Sequence, residues 1–240
     1  MKLVKKETIR DKYECWDLTV ERYHNYMVEG VVVHNSNCRT GISYSVMEDG
    51  AEVYEWKSGS HNLKRKEPLE EDKKSNIYWY ASTLDSVRKM IEFLHNENDG
   101  NKNVILYGEV YGRVRGGHKS MHYGCPNSLN FAAFAIKKNG KYVDWDEFVS
   151  LCEKYEVPVV PVLGIIPYKW EDVASLATGK SVLAAQNGAD HMREGVVVLP
   201  LKERNDPLLG RVTTKVLNPD YLLLKSKSAD KGEVSDYADV

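Results

Sequence analysis

No apolar run in this sequence approaches the length of a membrane-spanning helix, so a membrane partner is not expected. The basic, amphipathic start from Met1 to Arg10 has no apolar core region and is not expected to be a secretory leader. Cysteine is scarce: Cys15, Cys38, Cys125 and Cys152 form no Cys-x-x-Cys pair, which argues against a disulfide framework and suits a reducing cytoplasm. An excess of either charge is also missing. With Lys+Arg 33 against Asp+Glu 35 the net charge is −2, so no global basic field draws nucleic acid, and any phosphate contact must come from local lysines and arginines. No internal repeat is present. What the chain does have is an aromatic supply of 15 tyrosines and 5 tryptophans, useful for stacking and for packing alike, and enough of its 240 residues for one domain with a real core.

Local patterns place the elements. Cys38 to Trp56 alternates as strand, turn and strand around Asp49-Gly50. The charge run from His61 to Lys74 is expected to be a solvated loop whose Lys64-Arg65-Lys66 cluster could touch phosphate. Ser82 is expected to cap a helix lined by Leu84, Val87, Ile91 and Leu94. Asn103 to Tyr111 has the composition of a buried strand, and Asn130 to Val143 that of a hairpin turning at Asn139-Gly140. Trp145 to Tyr155, Trp170 to Ala177 and Lys180 to Gln186 are expected as helices. Val157 to Ile166, Gly195 to Leu201 and Leu222 to Lys225 are expected as strands. Strands with helices interspersed in mixed order predict an α+β fold with antiparallel sheets and flanking helices.

Near the start, Cys15-Trp16-Asp17-Leu18-Thr19-Val20 alternates like a strand. Tyr23-His24-Asn25-Tyr26, Gly30, the apolar run Val31 to Val33, and His34-Asn35-Ser36 follow it. This arrangement resembles the C-terminal end of a self-splicing intein. The resemblance implies that the side-chain amide of Asn35 closes on its own carbonyl and frees the amine of Ser36. His34 would assist as the neighbouring acid or base, His24 would aid activation of Ser36 or the final cleavage, and Asp17 would position the strand. Ser36 would supply the hydroxyl that accepts the upstream acyl chain. Where many members carry Asp before the first histidine, this chain has Tyr23. A plain hairpin with two surface histidines is the bland alternative. An intein also needs an N-terminal nucleophile block, and none fits ahead of residue 35, so residues 1–35 are expected to be the C-terminal half of a split intein. Too short to bury a core alone, they would be completed by a separate fragment in trans.

Beyond Ser36 lie Leu106-Tyr107-Gly108-Glu109-Val110-Tyr111-Gly112, Phe131-Ala132-Ala133-Phe134-Ala135-Ile136 running into Gly140-Lys141-Tyr142-Val143-Asp144-Trp145, then Arg193-Glu194-Gly195-Val196-Val197-Val198, and Leu222-Leu223-Leu224-Lys225-Ser226-Lys227-Ser228. In this order they resemble motifs III, IIIa, IV and V of the covalent nucleotidyltransferase superfamily, in particular its phage-type, ATP-dependent RNA ligases. The resemblance implies a nucleotidyltransferase domain (an ATP-grasp-like ligase fold) over residues 36–228, with 229–240 a tail too short for an appended domain. It implies ATP and a divalent metal (Mg2+ or Mn2+) as cofactors and RNA as substrate. It also implies roles. Lys225 and Lys227 would face the α-phosphate, Glu194 the metal, Glu109 the ribose and Phe134 the adenine. The bland alternatives are a solvated edge for the lysines, a surface carboxylate for Glu109 and core for Phe134. Ala135 stands where the family often has Asp. His118, His122 and Cys125 have zinc-like spacing without a fourth ligand.

The family's first motif, Lys-x-x-Gly followed by a hydroxyl residue and Asn, holds the nucleophilic lysine, and this chain lacks it. Ser36-Asn37-Cys38-Arg39 resembles only its second half. Asn37 would then touch the ribose or the backbone near the adenylated lysine, and Arg39 the RNA 5′-phosphate or a cleft carboxylate, with a surface role as its alternative. The two resemblances imply an upstream fragment in trans that carries the lysine and is joined to Ser36 by splicing. The expected setting is cytoplasm, by analogy that of a bacteriophage host. The alternatives are a ligase-like binding module in which only the intein reacts, and a DNA ligase or capping relative.

Overall fold

The computed structural model describes the backbone of residues 25–29 and residues 37–60, 64–97, 102–112, 123–208 and 210–223. In chain order its elements are β1 (Asn25–Glu29), β2 (Asn37–Val46), β3 (Glu52–Gly59), α1 (Glu70–Lys73), α2 (Asp85–Asn96), β4 (Val104–Gly112), β5 (Leu129–Lys138), β6 (Lys141–Tyr142), α3 (Trp145–Lys154), β7 (Val162–Pro167), α4 (Trp170–Ala177), α5 (Val182–Gln186), β8 (Gly195–Pro200), β9 (Asn205–Asp206), β10 (Gly210–Arg211) and β11 (Thr214–Leu217). The class is α+β with antiparallel sheets, as the mixed order of elements predicts. One sheet has the order β3-β2-β4-β5-β6, a second β11-β8-β1-β7, and β9 with β10 forms a small ribbon.

The main core fills the space between the five-stranded sheet and helices α2 and α3. Val87, Met90, Ile91 and Leu94 recur at helical spacing on α2 and are buried against Cys38, Leu106, Val110, Phe131 and Ile136 of the sheet. Trp145, Phe148 and Cys152 do the same from α3. Strand β8 is apolar on both faces because both are covered. Leu199 enters the main core, while Val196 and Val198 pack on Val173 and Ala177 of α4. The hairpin of β5 and β6 turns at Asn139 (φ 47°) and Gly140 (φ 84°), the left-handed pair that a two-residue turn requires.

Strand β5 carries one residue more than its partner. Tyr107 pairs with Ala135 and Gly108 with Ala133, which leaves Phe134 as the extra residue of a bulge. The backbone beside it is satisfied from the segment ahead of β7: the Ala133 amide donates to the Pro158 carbonyl at 2.7 Å, and the Val160 amide donates to the Ala133 carbonyl at 2.9 Å.

Three expectations are corrected. Ser82 does not cap α2. Its hydroxyl donates to the Trp79 carbonyl at 2.6 Å inside a 3-10 turn over Tyr80–Thr83, and Leu84 stands at the helix N-cap. The charge run is not wholly loop, since α1 forms within it where Glu70, Glu71 and Asp72 favour a helix N-terminus. Leu222 and Leu223 are not in a strand, because residues 219–223 are helical. Asn218-Pro219-Asp220 is the start signal: the Asn218 side chain accepts from the Asp220 amide at 3.1 Å, and proline suits the first helical position. Strand β1 lies ahead of the expected boundary at residue 35 and pairs with β7 and β8 beyond it.

Phe148 is 1% exposed at the contact of α3 with the five-stranded sheet. Replacing it with alanine is expected to cost about 3–5 kcal/mol through lost burial and a residual cavity. Urea denaturation will measure this; a change within ~0.5 kcal/mol, as expected for an ordinary surface site, would contradict the packing described.

Candidate functional site

Strand β4 is divided by face. Val104, Leu106 and Val110 enter the main core, so Tyr107, Glu109 and Tyr111 point the other way. Residues directly opposite across antiparallel strands share a face, and Asn37 of β2 lies opposite Glu109 while Arg39 lies opposite Tyr107. From β5, Ala132 lies opposite Glu109, and the bulged Phe134 brings its ring to 6.4 Å from that of Tyr107. Four residues singled out in the sequence, Asn37, Arg39, Glu109 and Phe134, are therefore neighbours on one face. Beyond them, Tyr142 lies 5.7 Å from the Tyr107 ring and carries the Arg211 guanidinium 3.8 Å over its own ring. Glu203 grips that guanidinium in a two-pronged ion pair.

The second sheet supplies the opposing charges. Glu194 immediately precedes β8, and its carboxylate accepts from Lys215 of β11 at 2.9 Å. Lys215 pairs opposite Val197, whose neighbour Leu199 on that face enters the main core, so the ammonium lies between the two sheets. The close approach of β8 and β11 depends on Gly195: a Cβ there would lie 2.2 Å from the Val216 carbonyl oxygen. Asn218 ties the same corner. Its amide donates to the Glu194 carbonyl at 2.7 Å, and its side chain donates to the Arg193 carbonyl at 2.8 Å.

Glu109 and Glu194 are buried at 2% and 3% exposure and interact electrostatically, with Lys215 near both. Burial raises the Glu109 carboxyl well above the ordinary range, the charge of Glu194 adds to the rise, and Lys215 partly offsets it. The Tyr123 phenol is pushed up too, by burial first and then by Glu109 and Glu194. With both carboxyls ionised, the pair and one ammonium would keep a net negative charge. That suits a divalent cation which takes its other ligands from phosphate oxygens and water. Among the described residues no group of three or more His, Cys, Asp or Glu side chains could hold a metal, so those residues would contribute this pair.

Lys215 is the residue that sequence reasoning missed. Its signal was weak: a short strand, Thr214–Leu217, with a single lysine, set just ahead of Asn218-Pro219. The Lys-x-Lys pair Lys225 and Lys227 drew attention instead and lies outside the described residues, as do His24, His34, Asn35, Ser36, His118 and His122.

A family model described as RNA ligase matches residues 33–217, so of the intein-like residues 1–35 the first 32 precede the match and the last three lie within it. Among solved structures, a mutant RNA ligase of Naegleria gruberi with ATP and Mn superposes at a TM-score of 0.55 and 19% identity, over 84% of this chain and 52% of that one. An archaeal ATP-dependent RNA ligase gives 0.50 at 16% identity, over 90% of this chain and 48% of that one. A putative ATP-dependent DNA ligase from Aquifex aeolicus gives 0.50 at 16% identity, over 89% and 50%. At these identities the likeness is one of fold, and the chain spans about half the length of the structures it matches. No curated protein matches it.

The raised value of Glu109 has a stability consequence with a definite sign. The folded protein keeps a proton that the unfolded chain releases above the ordinary value of 4.5. The stability due to this group is therefore full below that pH and is lost as pH rises toward the folded-state value. Glu109→Gln removes the dependence, so its melting temperature should gain on the parent's as pH rises from about 4.5 to neutrality, by about 2–4 °C for each kcal/mol relieved. Scanning fluorimetry across pH tests this; a difference that is flat with pH would refute a shifted carboxyl at this position.

Proposed function

The chain belongs to the RNA ligase family, and from that premise we propose that it is the downstream part of an ATP-dependent RNA ligase completed by protein splicing in trans. The observation that supports the ligase part of this reading is the meeting of Glu109, Glu194 and Lys215 between the two sheets, beside Asn37, Arg39 and Phe134; the splicing part rests on the residues ahead of Ser36. Phosphoryl transfer asks little bond-making chemistry of a protein. It needs alignment and stabilisation of spread negative charge.

In this site Lys215 contacts a phosphate of ATP, and Glu194 with Glu109 holds the divalent metal. That ion, when bound, offsets the phosphate charge. Phe134 and Tyr107 offer ring faces to the adenine, and Asn37 reaches the ribose edge. Arg39 meets the 5′-phosphate of the RNA, and Lys225 and Lys227 add further phosphate contacts. The nucleophilic lysine comes from the upstream fragment, because Ser36-Asn37 is only the second half of the family's lysine motif.

Splicing supplies the first half, which holds the lysine. The Asn35 side-chain nitrogen attacks the Asn35 carbonyl carbon, the Asn35–Ser36 peptide bond breaks, and the Ser36 amine leaves with a proton donated through His34. Beforehand, the Ser36 hydroxyl attacks the upstream acyl group held as an ester or thioester on the partner fragment's N-terminal nucleophile; that bond breaks, the nucleophile leaves with the hydroxyl proton, and the acyl group is carried by Ser36 as an ester. The freed amine then displaces that ester oxygen to give an ordinary peptide bond.

Two outcomes are expected. Incubated alone with α-labelled ATP and magnesium, the chain gains no covalent label; after mixing with the upstream fragment, label appears on the longer, joined product. Covalent AMP on the unspliced chain would sink the split-ligase reading. Asn35→Ala leaves the downstream part attached to its leader, by at least a hundredfold in release rate, and intact-mass spectrometry of the mixture reports it.

A further inference from the structure

Strands β7, β8 and β11 of the four-stranded sheet all fall within residues 33–217, the span of the family match, whereas β1 precedes it. Even so, β1 is an inner strand. It pairs with β7 from Asn25↔Pro167 to Glu29↔Val162, and with β8 from Tyr26↔Pro200 to Glu29↔Val197. Removing it would leave two facing edges, with their amides and carbonyls unpaired, one strand's width apart on either side of the gap. On the trans-splicing reading, on which this inference rests, residues 1–35 leave the protein. A segment that is discarded and yet pairs on both sides inside a sheet needs a successor. We infer that the gap between β7 and β8 is the seat of the upstream fragment's last strand, and that residues 25–29 hold that seat until splicing replaces them.

Strand direction fixes what the successor delivers. Strand β1 runs toward Glu29, opposite Val197, and β8 begins at Gly195, directly after Glu194. A chain leaving the seat therefore heads past Gly195 toward Glu194, whose carboxylate holds Lys215. It must then reach Asn37, which lies opposite Glu109. Its path runs between the acidic residues of the site, where an incoming lysine finds carboxylates on both sides. The partner segment is thus an extended stretch of five or more residues, free of proline, followed closely by lysine. Because main-chain bonds do the pairing, leader and successor can occupy one seat without sharing a sequence.

Amide hydrogen exchange on the full chain tests this without the splicing step, so failure here is distinct from failure of the ligase reading. In the parent protein the amides of residues 25–29, β7 and β8 should be protected together. Val28→Pro, which breaks pairing within β1, should raise exchange at least tenfold in β7 and β8 while β2, β4 and β5 stay protected. A synthetic peptide copying residues 23–31 should restore protection to that variant, and the same peptide with proline at the position of Val28 should not. Unprotected amides at 25–29 in the parent, or unchanged β7 and β8 in the variant, would overturn the inference. So would a variant in which β2, β4 and β5 also lose protection, since β1 would then be part of the core and not replaceable. Failure of the peptide to restore protection would overturn it as well.

Discussion

Two buried carboxyl groups contending for one ammonium set the character of this molecule. Glu109 comes from the middle of the five-stranded sheet and Glu194 from the corner ahead of β8, so each sheet fixes one acid, and Lys215 bridges the difference from the edge. An apolar interior would exclude such a group unless something compensated it. Part of the compensation is internal: Lys215 pairs with Glu194, and Glu109 holds its proton more tightly. The rest is left to whatever cation or phosphate chemistry enters. The surrounding packing serves this arrangement. Gly195 lets β11 approach, Asn218 pins the corner, and the α2 and α3 core holds β4 flat beneath Glu109.

Much of the fold was legible because its signals are local. Asn139-Gly140 announces its own turn, Val87, Ile91 and Leu94 their helix face, and the valines of β8 their strand. The face shared by Asn37, Arg39, Glu109 and Phe134 was legible only in outline, through the motifs that carry those residues; their actual adjacency depends on cross-strand register, which no single segment encodes. Where signals competed, the nearer misled. Ser82 is a good capping residue that the preceding turn had already used, and three leucines before Lys225 suggested a strand although Asn218-Pro219 had already begun a helix. Lys215 stayed hidden because four residues of strand carry almost no periodicity.

The sheet and the junction mark different borders. The family match begins at residue 33 and the resemblance to an intein ends at Asn35, but β1, ahead of that line, pairs with β7 and β8 beyond it. Hydrogen bonds of an inner strand are indifferent to the origin of the backbone that makes them. On the proposed splicing, one strand would be exchanged for another in a sheet whose remaining strands, β7, β8 and β11, lie within the family match.

The bulge at Phe134 makes the middle of β5 a fixed-length device. Ahead of it Phe131 and Ala133 face the core, and beyond it Ile136 does; a regular strand would have turned Ala135 inward instead. Losing one residue there would straighten the ladder and withdraw the ring that projects beside Tyr107. Gaining one would rotate Ile136 toward the ligand side. Insertions and deletions should therefore be purged from this strand and accumulate in exposed connections such as the Asn139-Gly140 turn a few residues on.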